Sequence, residues 1–176
     1  MNNELMSLIK STTNSFNIDP YFTYAVGTVE SNNTPFTEGK PTVRFEKHVF
    51  KRELKKRDAS KLPLADALSG TRIATVHKAM TIDEECALLA TSWGIYQIMG
   101  FNYSVAGYRD VEDFVTAMNS VKHQIEAFCM FIKGNGLIPV MNKLDFATFA
   151  RRYNGPNYAE NNYDVKLKKA YNTVKK

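Results

Sequence analysis

The sequence predicts a mainly α fold: an α+β arrangement with a helical lobe and a small extended lobe near residues 33–60 and 92–99. Three observations carry that expectation. Apolar residues recur at helical spacing on both sides of the segment Asn32 to Ser69. The segment itself is rich in Thr, Pro, Gly and charge and has no clean helical period. The composition, 44% hydrophobic and 12% aromatic over 176 residues, suits one domain with an ordinary core and excludes disorder.

Residues 3–13 read as a short helix with Leu5, Leu8 and Ile9 on one face. A second helix opens at Asn17-Ile18-Asp19-Pro20. Asp19 supplies an N-cap oxygen, and Pro20 fits the first helical position, where an N–H has no intrahelical partner. Phe22, Ala25, Val26 and Val29 then follow the i, i+3, i+4, i+7 stripe, which runs out at Glu30-Ser31-Asn32-Asn33. Over residues 42–50, Val43, Phe45 and Lys47 fall on one side of an extended segment, and the basic run Lys51 to Arg57 follows.

Thr81-Ile82-Asp83-Glu84 fits a capping box that opens a helix through Leu89. Asp110 caps a helix through Met118. Ser120 caps a longer one carrying Ile125, Phe128, Cys129 and Ile132 and ending at Gly134. Asp145 opens a short helix to Arg152, broken by Gly155-Pro156. The tail places Tyr163, Leu167, Tyr171 and Val174 at helical spacing, with lysines in the last turns where the helix dipole favours cations.

Several classes of function are excluded on composition. Two cysteines, Cys86 and Cys129, cannot form a disulfide scaffold; both sit at apolar helix positions and read as buried free thiols. No run approaches the ~18 apolar residues of a membrane-spanning helix. Met1 to Ser7 has neither the basic nor the apolar region of a secretory signal, so accumulation in the cytoplasm is expected. His48, His77 and His123 are scattered without metal-ligand spacing. With no phosphate-binding glycine loop and no Gly-x-Ser-x-Gly elbow, neither a metal nor a cofactor is expected. The net charge of +5 suits an anionic partner, and suits solubility equally well. No aromatic-basic motif points to nucleic acid.

Glu30 follows directly on the apolar stripe. A carboxyl there loses contact with water, which favours its protonated form. A protonated carboxylic acid near neutral pH can deliver the proton that a leaving glycosidic oxygen requires. Spacing alone fits a solvated helix-end carboxylate as well.

The surrounding residues narrow the choice. Ile18-Asp19-Pro20, Ala25 and Val29-Glu30-Ser31-Asn32 resemble the acid-bearing helix of goose-type lysozymes and lytic transglycosylases. Gly94-Ile95-Tyr96-Gln97-Ile98-Met99 is similar to their Gly-Leu-Met-Gln-like strand, and Tyr153-Asn154-Gly155 to their later Tyr-Asn pair, in the same order. Longer stretches resemble the phage endolysin N-acetylmuramidase family: residues 40–50, 92–103 and 149–158, then Asn162-Tyr163-Asp164 and Lys166-Leu167. The likeness spans about residues 15–171. It departs at Ser31-Asn32-Asn33, where a Gly commonly follows, and at Tyr96, where Phe is usual.

This resemblance implies a lysozyme-like fold and one catalytic domain over residues 1–176 without a separate wall-binding module. It implies an endolysin that cleaves the β-1,4 bond between N-acetylmuramic acid and N-acetylglucosamine in peptidoglycan and lyses the cell. Glu30 is then the general acid. Such an enzyme waits in the cytoplasm of the infected host until a holin opens the membrane.

Glu46, sixteen residues past Glu30 on the first extended segment, stands where lysozyme-like folds place a second carboxylate. It equally fits an ion pair with Arg44, Lys47 or Arg72. Glu38 reads as part of an exposed turn. Ser92, Tyr96 and Gln97 are expected on the cleft wall, with Gln97 hydrogen-bonded near the acid. Tyr153 is expected to reach Glu30, with Asn154 beside it. Trp93 fits the core better than a sugar platform.

The partner is peptidoglycan, and a monomer is expected. The basic clusters Lys51 to Arg57 and Lys166 to Lys176 are available to anionic wall or outer-membrane polymers. Two alternatives accompany this reading: a lytic transglycosylase that closes a 1,6-anhydro ring, and a non-catalytic wall-binding protein that keeps the fold.

Overall fold

A computed structural model describes residues 2–176. Helix α1 (Asn3–Asn14) starts at Asn2, whose side chain accepts from Leu5 N, and buries Leu5, Met6 and Ile9. Helix α2 (Pro20–Ser31) runs through the middle of the molecule. Asp19 caps it as the sequence predicts, Oδ1 accepting from Phe22 N at 2.8 Å. The predicted one-sided stripe is too narrow, because Phe22 through Gly27 are all buried. A helix apolar on every side is covered on every side. It ends in a Schellman-type turn: Asn32 and Asn33 have left-handed φ of 54° and 55°, and Asn33 N–H donates to Gly27 O at 2.9 Å. Asparagine tolerates this conformation, so Asn32 does here what glycine commonly does in the sequences it resembles.

Strands β1 (Phe36–Thr37) and β2 (Lys40–Pro41) form a hairpin. Its loop residues Glu38 and Gly39 have φ of 53° and 74°, both positive as a tight two-residue hairpin loop requires. A second sheet joins β3 (Val43–Phe45), β4 (Thr91–Trp93) and β5 (Ile98–Met99), all antiparallel.

Extended backbone stops at Phe45, well short of residue 50. Helix α3 (Lys47–Arg57) takes over, with Val49, Phe50 and Leu54 buried. Its period escaped the sequence reading because Lys and Arg fill nearly every other position. Two helices with no strong start signal, α4 (Leu62–Asp66) and α5 (Ile73–Met80), complete this lobe. Helix α6 (Glu84–Leu89) is capped by Asp83, whose Oδ1 accepts from Cys86 N at 3.1 Å. Thr81 is not its cap, because Thr81 closes the preceding helix.

Helices α7 (Val111–Ala117) and α8 (Val121–Gly134) take the expected caps, Asp110 and Ser120. Helix α9 (Ile138–Asn142) precedes α10 (Phe146–Asn154), which Asp145 caps. Helix α11 (Tyr163–Val174) packs along α2.

A run of rings links the central helix to the sheet. Phe22 of α2 meets Phe149 with centroids 4.9 Å apart. Phe149 stacks on Tyr153 at 5.0 Å, Tyr153 meets the edge of Phe128 at 6.1 Å, and Phe128 stacks on Tyr96 at 4.1 Å. Such pairs contribute about 0.5–1.5 kcal/mol each beyond the area they bury. Cys86 and Cys129 are free and buried, and burial pushes both thiols up to about 12.

Gly27 marks the closest approach in this arrangement. A Cβ there would lie 2.2 Å from Asn33 Oδ1 and 2.7 Å from Ile95 Cγ2. Asn33 cannot swing away cheaply, since its Nδ2 donates to Thr28 Oγ1 at 2.7 Å and Tyr24 O at 3.3 Å. Gly27→Ala should therefore destabilise the protein by about 1–3 kcal/mol in a urea melt, despite a helix-propensity gain of about 1 kcal/mol. A stabilised variant would contradict this packing.

Candidate active site

Between the lobes lies a cleft of about 520 Å³. Strand register builds one wall. Arg44, Ser92 and Met99 lie in a row across the sheet, Arg44 opposite Ser92 and Ser92 opposite Met99, and all three line the cleft. Because strand side chains alternate, Phe45, Thr91, Trp93 and Ile98 face the core and are buried. The start of α3 adds Glu46, His48, Val49 and Arg52. The end of α2 presents Glu30, and the end of α10 presents Tyr153 and Asn154.

Glu30 is half-buried. Burial pushes its carboxyl up to about 7, outweighing two influences in the other direction: the Tyr163 hydrogen bond and the charge of Arg44. Tyr163 Oη donates to Glu30 Oε1 at 2.5 Å. Near neutral pH this carboxyl therefore exists in both forms, able to give up a proton and to take one back.

Tyr163 holds the position expected of Tyr153. Tyr153 Oη donates to the Tyr96 carbonyl at 2.6 Å, and its ring lies in the aromatic run. Tyr163 is 5% exposed and opens α11 directly after Asn162, whose φ is 51°. In the sequence it reads as one more apolar position on the last helix. The polar neighbours in Asn162-Tyr163-Asp164 were the available signal.

Tyr96 is also corrected. Expected to bind substrate, it is 1% exposed, stacked on Phe128, and its hydroxyl has no partner. A buried hydroxyl without a partner is a net cost, in keeping with Phe being usual there. Trp93 is a core residue, its Nε1 donating to Leu88 O at 3.3 Å.

Gln97 lines the cleft, but its amide is committed to protein groups other than the acid. Oε1 accepts from Ser92 Oγ at 2.8 Å, and Nε2 donates to Gly94 O at 2.8 Å and Thr42 O at 3.3 Å. Its φ is 49°, an uncommon conformation for a residue with a side chain.

The turn that holds Gln97 rests on Gln124, which sequence reasoning missed as one more polar residue on α8. Gln124 is 1% exposed. Its Oε1 accepts from Ile95 N at 2.8 Å, and its Nε2 donates to Met118 O at 2.7 Å and Pro35 O at 3.3 Å. Ser31 Oγ, one residue past Glu30, donates to Ile95 O at 2.8 Å and ties the same turn to the end of α2.

Glu46 stands at the N-cap position of α3 and makes no cap bond. It meets Arg44 Nε at 2.9 Å and His48 Nδ1 at 3.6 Å, so it is ion-paired and cleft-facing at once. Lys47 is engaged elsewhere, donating to the carbonyls of Asp66 and Leu68.

Volume alone points away from this site. Grooves of about 840 Å³ between α1 and α8, and about 580 Å³ between α2 and α11, are larger. Neither gathers two carboxylates, an amide and a tyrosine. Among the described residues, no three His, Cys, Asp or Glu side chains are grouped to hold a metal ion, and no helix is long and apolar enough to cross a membrane.

A helical lobe facing a small sheet across a polar cleft, with one desolvated carboxyl at the end of the central helix, is the arrangement of a lysozyme-like glycoside hydrolase. The N-acetylmuramidase family model matches residues 19–175, and the chain belongs to that family, whose members hydrolyse peptidoglycan. The fold is similar to the crystal structure of a Burkholderia AP3 phage endolysin, with a TM-score of 0.83 and 34% identity over 97% of this chain and 71% of that one. No curated protein matches the sequence.

The raised Glu30 carboxyl has a consequence for stability. In the unfolded chain it ionises near 4.5 and in the folded protein near 7. Its penalty is thus absent below 4.5, grows as pH rises to 7 and is constant above. Glu30→Gln, which can still accept from Tyr163, should be more stable than wild type at pH 8 by up to about 3 kcal/mol. The two proteins should converge near pH 4. Equal stability at both pH values would contradict the burial penalty.

Proposed function

We propose that Glu30 is the general acid of an N-acetylmuramidase acting on the β-1,4 bond between N-acetylmuramic acid and N-acetylglucosamine. The observation that carries this reading is the Glu30 carboxyl at the end of α2, opening into the cleft and held by Tyr163, where burial pushes it up to about 7. Protonated Glu30 gives its proton to the leaving glycosidic oxygen as the C1–O bond breaks. Positive charge builds on the sugar, and Glu46 supplies the second carboxylate that this step and the following addition of water call for. Water adds at C1 to leave a reducing end, and its proton restores Glu30. Ser92 and Gln97 shape the sheet wall, Tyr153 carries the helical wall, and Asn154 is exposed at the cleft for contact with sugar.

Likeness to a phage endolysin supports a role in bacterial lysis after release from the cytoplasm to the wall. A single catalytic domain acting as a monomer completes this reading.

The two basic clusters differ in how well they suit anionic polymers. On α3, Lys51 pairs with Asp66, Arg52 and Lys56 share Glu53, and Arg57 meets Asp83 and Glu85. On α11, Lys166, Lys168 and Lys169 have no carboxylate partner among the described residues. The unpaired set is the better candidate for attraction to wall or outer-membrane polymers.

The test is a digest of Gram-negative peptidoglycan resolved by mass. Wild type should release reducing N-acetylmuramic acid ends, Glu30→Gln should lose at least about 10³-fold in rate, and kcat/KM should fall above about pH 7. Tyr163→Phe should move that alkaline limb to higher pH, because the lost hydrogen bond had favoured the ionised form. Anhydro ends would make the protein a transglycosylase and remove Glu46 from the chemistry. An active Glu30→Gln protein would overturn the assignment.

A further inference from the structure

The cleft carries two arginines that a neutral sugar chain does not itself call for. Arg44, His48 and Arg52 line the α3 side, with side chains 67%, 78% and 49% exposed. Arg44 is engaged by Glu46 at 2.9 Å. Arg52 is not matched in the same way. Its Nε and Nη2 both lie 2.7 Å from Glu53 Oε1, while Lys56 holds the same carboxylate at 2.9 Å, so one negative charge serves two positive ones. The guanidinium also lies 5.0 Å over the ring of Phe101, itself exposed and lining the cleft. Glu53 takes the Nε side of this guanidinium, and the Nη1–Nη2 edge, backed by an aromatic face, is left for a second carboxylate, whose two oxygens match those donors.

A strand of alternating N-acetylated sugars has no carboxylate once the lactyl group is amide-linked to peptide. The peptide stem on that lactyl group does carry free carboxylates. We propose that Arg52, supported by Phe101 and flanked by His48, binds a free carboxylate of the stem, so that the enzyme prefers strands whose stems are ionised. The inference rests on the muramidase reading and adds its substrate preference. Arg52 is dispensable to the fold in this account, because Lys56 continues to neutralise Glu53.

The experiment uses soluble, uncross-linked peptidoglycan strands, as prepared and after carbodiimide amidation of their carboxylates, at low ionic strength where exposed charges act most strongly. The readout is the ratio of kcat/KM for ionised over amidated strands. Wild type should show a ratio of at least about 5, expressed mainly in KM, and Arg52→Gln should bring it close to one. Lys55→Gln removes a charge from the same helix outside the cleft and should keep the wild-type ratio. Thermal melting confirms that each variant is folded. A wild-type ratio near one, or a wild-type ratio in Arg52→Gln, would overturn the proposal. So would an equal loss in Lys55→Gln, which would trace the preference to diffuse charge. Failure to cleave either substrate would overturn the muramidase reading itself.

Discussion

Keeping one carboxyl largely out of water, at the end of a helix that is itself buried, is the constraint on which the rest of the structure depends. An ionised carboxylate there is disfavoured by desolvation, and the protein leaves it only a single tyrosine bond and a more distant arginine for compensation. More donors would return Glu30 to an ordinary carboxylic acid, ionised at neutral pH. Fewer would raise its carboxyl further and keep it protonated at neutral pH. The site therefore depends on incomplete satisfaction, a destabilising feature that the surrounding core must tolerate.

The core meets that demand by surrounding α2. Six consecutive buried residues, the aromatic run through Phe149, Tyr153 and Phe128, and the packing of α11 leave Glu30 little freedom to retreat into solvent. The opposite wall is held as firmly by polar groups. Gln124 and Ser31 grip the turn at Ile95 from two sides, and Gln97 is fixed within it in a left-handed conformation. The buried Gln124 amide, with its oxygen and nitrogen both engaged, specifies one arrangement of this short turn.

Much of this was legible in the sequence because the signals were local. Caps at Asp19, Asp110, Ser120 and Asp145 announce their helices, since each satisfies an N–H two or three residues away. Glu30 was legible as the end of an apolar stripe, and the resemblance around it fixed attention on Ser92, Gln97 and Asn154, all of which reach the cleft. What failed depended on tertiary contacts. Tyr163 reaches Glu30 across more than a hundred residues of chain, and nothing in its helical spacing separates a core tyrosine from one that donates to the acid. The motif points to Tyr96 and Tyr153 at the cleft wall, but Tyr96 is buried against Phe128, while Tyr153 lines the cleft and spends its hydroxyl on the Tyr96 carbonyl. Helix α3 is hard to read because charged residues dominate it and even its buried face, Val49, Phe50, Glu53 and Leu54, includes a carboxylate.

The central claim is that Glu30 ionises near neutrality within the folded protein. A ¹³C NMR titration of the Glu30 side-chain carboxyl between about pH 3 and 9, assigned by comparison with Glu30→Gln, measures this without substrate. A midpoint of about 7 is expected for that one resonance. A midpoint near the ordinary 4.5 would mean that the carboxyl is solvated, and the account of the site would fail with it.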